Sequence, residues 1–452
     1  MDNIFFEDTT DDLEYKYKIL VWPNWTFSNN LNADSFTIVI ENVINVLPKN
    51  IYWTIPYHDT KLSKGNKGIA QLNKFDNVEL VKYDFPTYPN TMRCDFNTSA
   101  FKKLIDWERN DWDIIYSHLP EHTSQISNVL HNDTNITPKI VGYCHWYEVN
   151  ENTAYDKRLI NQNLLGTLEM DECGVNTAWL RDLVIDKTSD VFNEDAAKRF
   201  KDIIQPHYLG IDNYDFNWSK KTPNSILFNH RPNDYTGWKK FLTVMDEIYK
   251  ERQDFTVYGT LVNEERPYIK KVSFPEREDY LDFLKEMTVG ICFFQTYSAW
   301  SISATDGMSR GVPYLMPNKL CYPEMVGEDY PLFYNDNDHF KELLNGILDN
   351  NKNPTITKAV KHVKKIIPDM TWDKQVAKWF NGWDIFDLKQ IKSETDAYKK
   401  IRQFILDEKI VTKKRILDYM NWGINIKFSQ YRNRLRNEPN IKFTKNKYIA
   451  TD

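Results

Sequence analysis

The sequence predicts an α/β protein made of two doubly wound, Rossmann-like halves and a small basic appendage, and three observations predict it. Short apolar runs alternate with amphipathic stretches from the start of the chain, the β-α-β rhythm of a parallel sheet. That rhythm breaks at a polar stretch, 213–224, and then restarts. Charge also changes sign along the chain. Residues 393–452 hold 14 Lys and Arg against 7 Asp and Glu, a balance of +7, so a whole-chain charge of −6 leaves −13 on the first 392 residues.

In order, residues 17–22, 51–56, 78–83, 114–118 and 139–145 read as strands. Between them 35–47, 99–108 and 123–131 carry apolar residues three and four apart and read as helices. The stretch 213–224, with Lys220, Lys221 and Pro223, reads as an interdomain linker. Beyond it the pattern predicts strands at 225–229, 255–259 and 289–294 and helices at 238–252 and 279–287. The Asn-rich segment 335–353 is expected to be loop flanking one helix.

At 452 residues the chain exceeds one hydrophobic core, which gives two or three domains. Its 41% apolar and 14% aromatic residues exclude a disordered chain, and only 15 Gly exclude a collagen-like one. The acidic start, without a basic leader, and the lack of any run of about 18 apolar residues predict a soluble, intracellular protein. Five scattered cysteines, never in a CxxC pair, suit reduced thiols.

Chemistry concentrates in 289–318. An apolar strand runs out at Phe294, a loop of small polar residues follows, and a helix is expected to open near Thr305 and close at Gly311. Backbone amides at such a helix start form an anion site, and small side chains at Ser298, Ala299, Ser301 and Ser303 let a diphosphate approach. Asp306, read in the first turn, can accept from vicinal hydroxyls, as acids do for riboses in dinucleotide folds. An ordinary helix-start acid is the plainer reading.

The run Asp306-Gly-Met-Ser-Arg-Gly311-Val-Pro313 resembles the second half of a motif in the large retaining GT-B glycosyltransferase family: two acids eight positions apart, then Ala-Met and Gly-x-Pro. The first acid's position holds Ser298. Further landmarks agree in order. His207-Tyr-Leu-Gly210-Ile-Asp212 is similar to the domain-crossover stretch, Arg231 and Gly237 fall in register with its Gly-Arg and Lys-Gly, and Tyr258 lies on the nucleotide-proximal strand. Thr236 stands where the family has lysine, so Lys239 or Lys240 would supply that cation. The stretch 139–147 resembles a first-domain strand ending in a cleft histidine, His145, for which a structural role is the alternative. From Met370 the chain resembles the terminal helix that crosses back. The resemblance covers 16–390, although the glycine-rich loop usual after the first strand is replaced by Val21-Trp-Pro-Asn-Trp-Thr26.

The resemblance implies a GT-B fold, with residues 1–215 as acceptor domain together with a crossover helix at 371–390, and 222–370 as nucleotide-sugar domain. It implies a UDP-sugar donor, retention of configuration and no required cofactor or metal. Donor binding falls to Asp306, Ser298, Ser301, Ile302, Ser303, Gly307 and Tyr258, and catalysis to His145, Arg231, Lys239 and Lys240. Rival motifs are poorer. Asp111-Trp-Asp113 precedes its strand, Asp336-Asn-Asp338 sits in a loop-like run, and Pro120 interrupts His118-Leu-Pro-Glu-His122 as a helical ligand pair.

The tail, 393–452, reads as helices at 395–407, 412–420 and 429–437 and a hairpin at 440–449, resembling a winged helix. Lys427, Arg432, Arg434, Arg436, Lys442 and Lys445 would contact DNA, with a packing or assembly appendage as the alternative. A sugar transferase with such an appendage resembles bacteriophage enzymes that glycosylate their own modified bases. The expected reaction moves glucose or arabinose onto the hydroxyl of a 5-hydroxymethylpyrimidine, hydroxymethylcytosine first, in double-stranded DNA, in the cytoplasm of an infected cell if the source is viral. No membrane partner is expected. A transferase for polysaccharide or protein, and a non-enzymatic binding protein of the same fold, are the competing readings.

Overall fold

The computed structural model describes residues 17–24, 35–47, 51–57, 67–83, 95–104, 112–133, 138–149, 157–216, 221–294, 296–382, 401–412, 415–416, 435, 441–444 and 447–450. Its contacts divide the chain into two compact units. One comprises residues 1–143, 164–172 and 380–452, and the other 144–163 and 173–379. This division falls elsewhere than the linker read from the sequence.

In the first unit lie β1 (Tyr17–Trp22), α1 (Ser35–Val46), β2 (Ile51–Tyr57), α2 (Lys67–Leu72), β3 (Val78–Lys82), α3 (Thr98–Leu104), β4 (Ile114–Ser117), α4 (Pro120–Asp133) and β5 (Lys139–Cys144) up to Tyr143. The strands are parallel in the order β3-β2-β1-β4-β5, with Tyr17 opposite Ile51 and Ile19 opposite Ile114. Helix α1 forms because Phe36, Val39, Ile40, Val43 and Ile44 recur on one face, all buried. Pro120 opens α4 rather than breaking it, which leaves His118 ahead of the helix and His122 within it. Asp113, of the excluded Asp-x-Asp, accepts from the Lys18 amide.

The second unit continues with α5 (Lys157–Leu168) in part, β6 (Glu172–Val175), α6 (Ala178–Val191), α7 (Glu194–Ile203) and β7 (Ile204–Pro206). Its larger sheet comprises β8 (Ser225–Phe228), β9 (Thr256–Gly259), β10 (Ile269–Lys271), β11 (Val289–Ile291), β12 (Tyr314–Pro317) and β13 (Phe333–Tyr334), all parallel in the order β10-β9-β8-β11-β12-β13. Packed with it are α8 (Trp238–Glu251), α9 (Arg277–Leu284), α10 (Ile302–Ser309), α11 (Tyr322–Val326), α12 (Asn337–Asp349) and α13 (Pro354–Ile366). Helix α14 (Trp372–Gly382), in this unit up to Trp379, lies instead on the segment after β7, where Trp379 stacks on His207 and donates its indole N–H to the Tyr208 carbonyl. The core joins Phe228, Trp238, Phe241, Phe293 and Phe340, so α8 and α12 meet over the sheet. Asp336 caps α12 and Asp338 follows in its first turn.

Strand order reverses direction twice, between β1 and β4 and between β8 and β11, so each sheet has the doubly wound switch point. The supposed linker is tied down where described: Asn213 accepts from Arg310, Asp215 pairs with Lys285 at 2.8 Å, and Thr222 donates its amide to Glu286.

The tail holds helical residues at 401–408 and an antiparallel sheet of β14 (Ile410–Thr412), β15 (Ile441–Thr444) and β16 (Lys447–Ala450), ordered β14-β16-β15. Thr412 ends a strand instead of opening a helix. Backbone pairing of Ile410 with Ile449 accounts for the difference, since a three-residue strand leaves no periodic signal. Helical residues 415–416 and 435 fall within the expected second and third helices, and most of both lies outside the described residues.

Candidate active site

The second unit's switch point is built by three loops. After β8 the chain turns through 229–237. Thr236, buried, donates its hydroxyl to the carbonyls of Arg231 and Asn233, and Gly237 takes the left-handed conformation (φ 71°) that starts α8. Arg231 is thereby held on an exposed turn. Lys239 pairs with Asp234 at 3.0 Å, both largely exposed, and Lys240 is exposed beside it on the same helix.

After β11 the loop leads into α10, which opens at Ile302 rather than near Thr305. Ser301 causes the shift: its side chain accepts from the Ala304 amide and its carbonyl from Thr305, fixing the cap there. The cap leaves the amides of Ile302 and Ser303 as the helix's foremost donors. Asp306 consequently sits in the second turn, not the first, and is buried. Gly307 has a packing role, because a Cβ there would fall on the Tyr314 ring, as would one on Gly290. The Tyr314 hydroxyl shares its proton between Asn229 Oδ1 (3.2 Å) and the Ser303 carbonyl (3.0 Å). Asn229 Nδ2 donates to the Ser303 carbonyl and to the Tyr280 hydroxyl, locking β8 to α9 and α10.

Ser298 is buried, its hydroxyl 3.3 Å from that of Tyr322 and 3.4 Å from Cys321 Sγ, so it is committed within the protein. Tyr258 packs on Phe283 under the Lys270 ammonium.

The residue that sequence reasoning missed is Arg277. Its Nη1 and Nη2 donate to Asp306 (3.3 and 3.0 Å), while Nε and Nη2 donate to Asp212 (both 3.3 Å). One guanidinium thus grips two carboxylates along two edges. Burial raises the Asp306 pKa, with Arg277 opposing the shift. For Arg277, burial alone would lower the pKa, but the two carboxylates outweigh it. A signal existed: Arg277 opens α9, where a cation opposes the helix dipole unless acids compensate.

The third loop carries His145, half-buried, whose carbonyl accepts from Asn176 at 3.4 Å. Next to it Trp146 packs edge-on against Tyr297 and Tyr235, and its indole donates to Glu148. Tyr235 belongs to the Arg231 turn, so the structure brings the His145 and Arg231 loops together through Trp146. Nearby, Glu324 accepts from the amides of Ala178 and Trp179 and from the Tyr208 hydroxyl, while Thr177 caps α6 and donates to the Ala299 carbonyl.

Of the residues expected on DNA, Lys442 is exposed on β15, while Lys427, Arg432, Arg434, Arg436 and Lys445 lie outside the described residues. Among the described residues no cluster of three His, Cys, Asp or Glu could hold a metal, no helix is long and apolar enough to cross a membrane, and Cys144, Cys173, Cys292 and Cys321 are buried thiols.

No family model and no curated protein matches the sequence. Solved structures do. The chain is similar to Anabaena HepE in complex with UDP and glucose (10% identity, TM-score 0.59, 81% of this chain and 100% of that one). It is similar to sucrose-phosphate synthase from Thermosynechococcus elongatus (9%, 0.58, 81% and 98%). It also resembles S. aureus TarM in complex with fondaparinux, alpha-GlcNAc-glycerol and UDP (11%, 0.57, 82% and 100%). Two parallel sheets in the same α/β arrangement establish that the chain has the GT-B fold of glycosyltransferases.

Proposed function

We propose that the protein is a retaining glycosyltransferase that moves glucose or arabinose from a UDP-sugar to the hydroxyl of a modified base, 5-hydroxymethylcytosine first, in bacteriophage DNA. The observation that carries the transferase reading is the second unit's switch point, where Arg231, the start of α10 and Asp306 lie at the carboxyl ends of β8 and β11 in a GT-B fold. Nucleotides bind at such crevices in open α/β sheets. HepE and TarM were both captured with UDP, which supports a uridine donor here.

In the reaction the acceptor hydroxyl oxygen bonds to the anomeric carbon as that carbon's bond to the β-phosphate oxygen breaks. The leaving UDP keeps the electron pair, and the hydroxyl proton passes to its diphosphate. Arg231, with Lys239 or Lys240 and the Ile302 and Ser303 amides, stabilises that growing charge, and preorganised donors of this kind supply the largest share of such catalysis. Asp306 accepts from ribose hydroxyls, and His145 orients acceptor or sugar. Ser298, Gly307 and Tyr258 shape the donor site through packing. Base flipping brings the acceptor hydroxyl out of the duplex.

Support for a DNA acceptor comes from the tail. Its +7 balance accompanies a helix, a strand and a terminal hairpin ordered β14-β16-β15, a strand order that supports the winged-helix reading. One observation favours a second reading: TarM was captured with fondaparinux and alpha-GlcNAc-glycerol, so a glycan acceptor with the tail as assembly element is the alternative.

Incubating the protein with hydroxymethylated and plain DNA and several UDP-sugars, then analysing nucleosides by mass spectrometry, decides between them. A hexose or pentose mass added only to hydroxymethylated nucleosides is expected. Donor consumption with glycan acceptors and none with DNA would overturn the DNA reading. Removing 393–452 should abolish salt-sensitive DNA binding while sparing donor hydrolysis.

A further inference from the structure

We propose that Arg277, backed by Asp212, is the positioning residue of the donor site: its guanidinium fixes the Asp306 carboxylate so that the outward lone pairs meet the ribose diol. The inference deepens the donor reading above and rests on it.

The geometry uses the planarity of the guanidinium. The Nη1–Nη2 edge meets both oxygens of Asp306, and the Nε–Nη2 edge meets Asp212 Oδ2, so four donor contacts leave the side chain no rotational freedom. Both sides of the Asp306 pair are screened from water, with side-chain exposures of 8% for Asp306 and 27% for Arg277, whereas Asp212 is 41% exposed. An Arg fork occupies one lone pair on each carboxylate oxygen, and the second lone pair of each remains available to a hydroxyl. Two vicinal hydroxyls match two such oxygens.

Charge follows the same arrangement. A buried carboxylate without a cation would take up a proton and lose half of its accepting capacity. The groups facing Asp306 are Arg277 and Tyr280 from α9, Arg310 at the end of α10, Tyr314 from β12, and Asp212 from the segment after β7. Arg277 alone among them is hydrogen-bonded to the Asp306 carboxylate among the described residues. Arg310 is drawn instead to Asn213 at 2.6 Å.

The test compares UDP with 2′-deoxy-UDP, by calorimetric binding to the full chain, in wild type, Arg277→Lys, Arg277→Gln and Asp212→Asn. Wild type should favour UDP by about tenfold, as expected for a hydroxyl bonded to a charged acceptor. In Arg277→Gln the preference should shrink to about twofold, with weaker UDP binding and donor KM raised more than kcat is lowered. Lys keeps the charge but cannot form two forks, so it should fail to restore the preference. Asp212→Asn, which leaves the Asp306 fork intact, should reduce the preference by a smaller factor. The proposal is overturned if Arg277→Lys and Arg277→Gln retain the wild-type preference for UDP, or if Asp212→Asn binds like wild type while an Arg277 variant unfolds. Wild type that binds no UDP at all would instead remove the donor reading itself.

Discussion

The two switch points share one winding and differ in chemistry. At the β8/β11 point, charges pair across short distances around Arg277, and an exposed turn presents Arg231. At the β1/β4 point the described strand ends carry aromatic rings and histidines, with Glu121 as the buried acid among them. Trp22, fully buried, donates its indole proton to His122 Nδ1 (3.1 Å) and stands edge-on to Tyr83 and Phe101, while His118 packs against Phe36 and Tyr116. Topology therefore fixes where a crevice falls, and side chains decide what it can do. The polar point is the one to which the proposed function assigns the donor diphosphate.

The sharpest test of that contrast is Trp22→Ala. A large, fully enclosed ring is lost together with its indole bond to His122, so stability should fall by about 3–5 kcal/mol in denaturant unfolding. A change confined to donor kinetics would break the comparison. Arg231→Ala should behave in the opposite way. As an exposed turn residue it should leave unfolding unchanged and cost about 2–4 kcal/mol in kcat/KM with the UDP-sugar.

Smaller is an effect of pH on the second unit. Burial pushes both His207 and His230 down to about 3, below the unfolded value of about 6.5. Their neutral forms belong to the native state, so the stability they contribute is complete above about pH 6.5. It is lost as pH falls from there toward 3, by about 1.4 kcal/mol per pH unit for each histidine. Unfolding at pH 7 and pH 5 should therefore differ by about 2 kcal/mol less in His230→Gln than in wild type. The smallest expected effect is none: EDTA should leave turnover unchanged, and a loss restored by magnesium would mean that the polar switch point holds a cation.

Legibility in the sequence followed the same contrast. Strands 17–22 and 51–56 and helix 35–47 are bounded within about one residue, because each carries a complete apolar period and is covered by its own neighbours. The start of α10 was displaced by three residues, since a single capping serine outweighs the propensity of the loop. Arg277 is legible in sequence only as a cation near a helix start, because its partners lie 65 and 29 residues away, a spacing to which no local periodicity corresponds. Ser298 is donor-facing by motif position, and its hydroxyl contacts with Tyr322 and Cys321 come from packing that leaves no sequence signal.

Tyr314 has a consequence for how this sequence can drift. Its ring fills the space a methyl group would need at both Gly290 and Gly307, and its hydroxyl secures the β8 loop through Asn229. Three positions are thus mutually conditional: Ala at either glycine is excluded while the tyrosine stands, and replacing the tyrosine first removes the exclusion along with the anchor. Substitutions here are epistatic, so their order matters. A lineage could relax this corner only by passing through a form in which the Ser303 carbonyl has lost the tyrosine and keeps Asn229 alone as its side-chain tether.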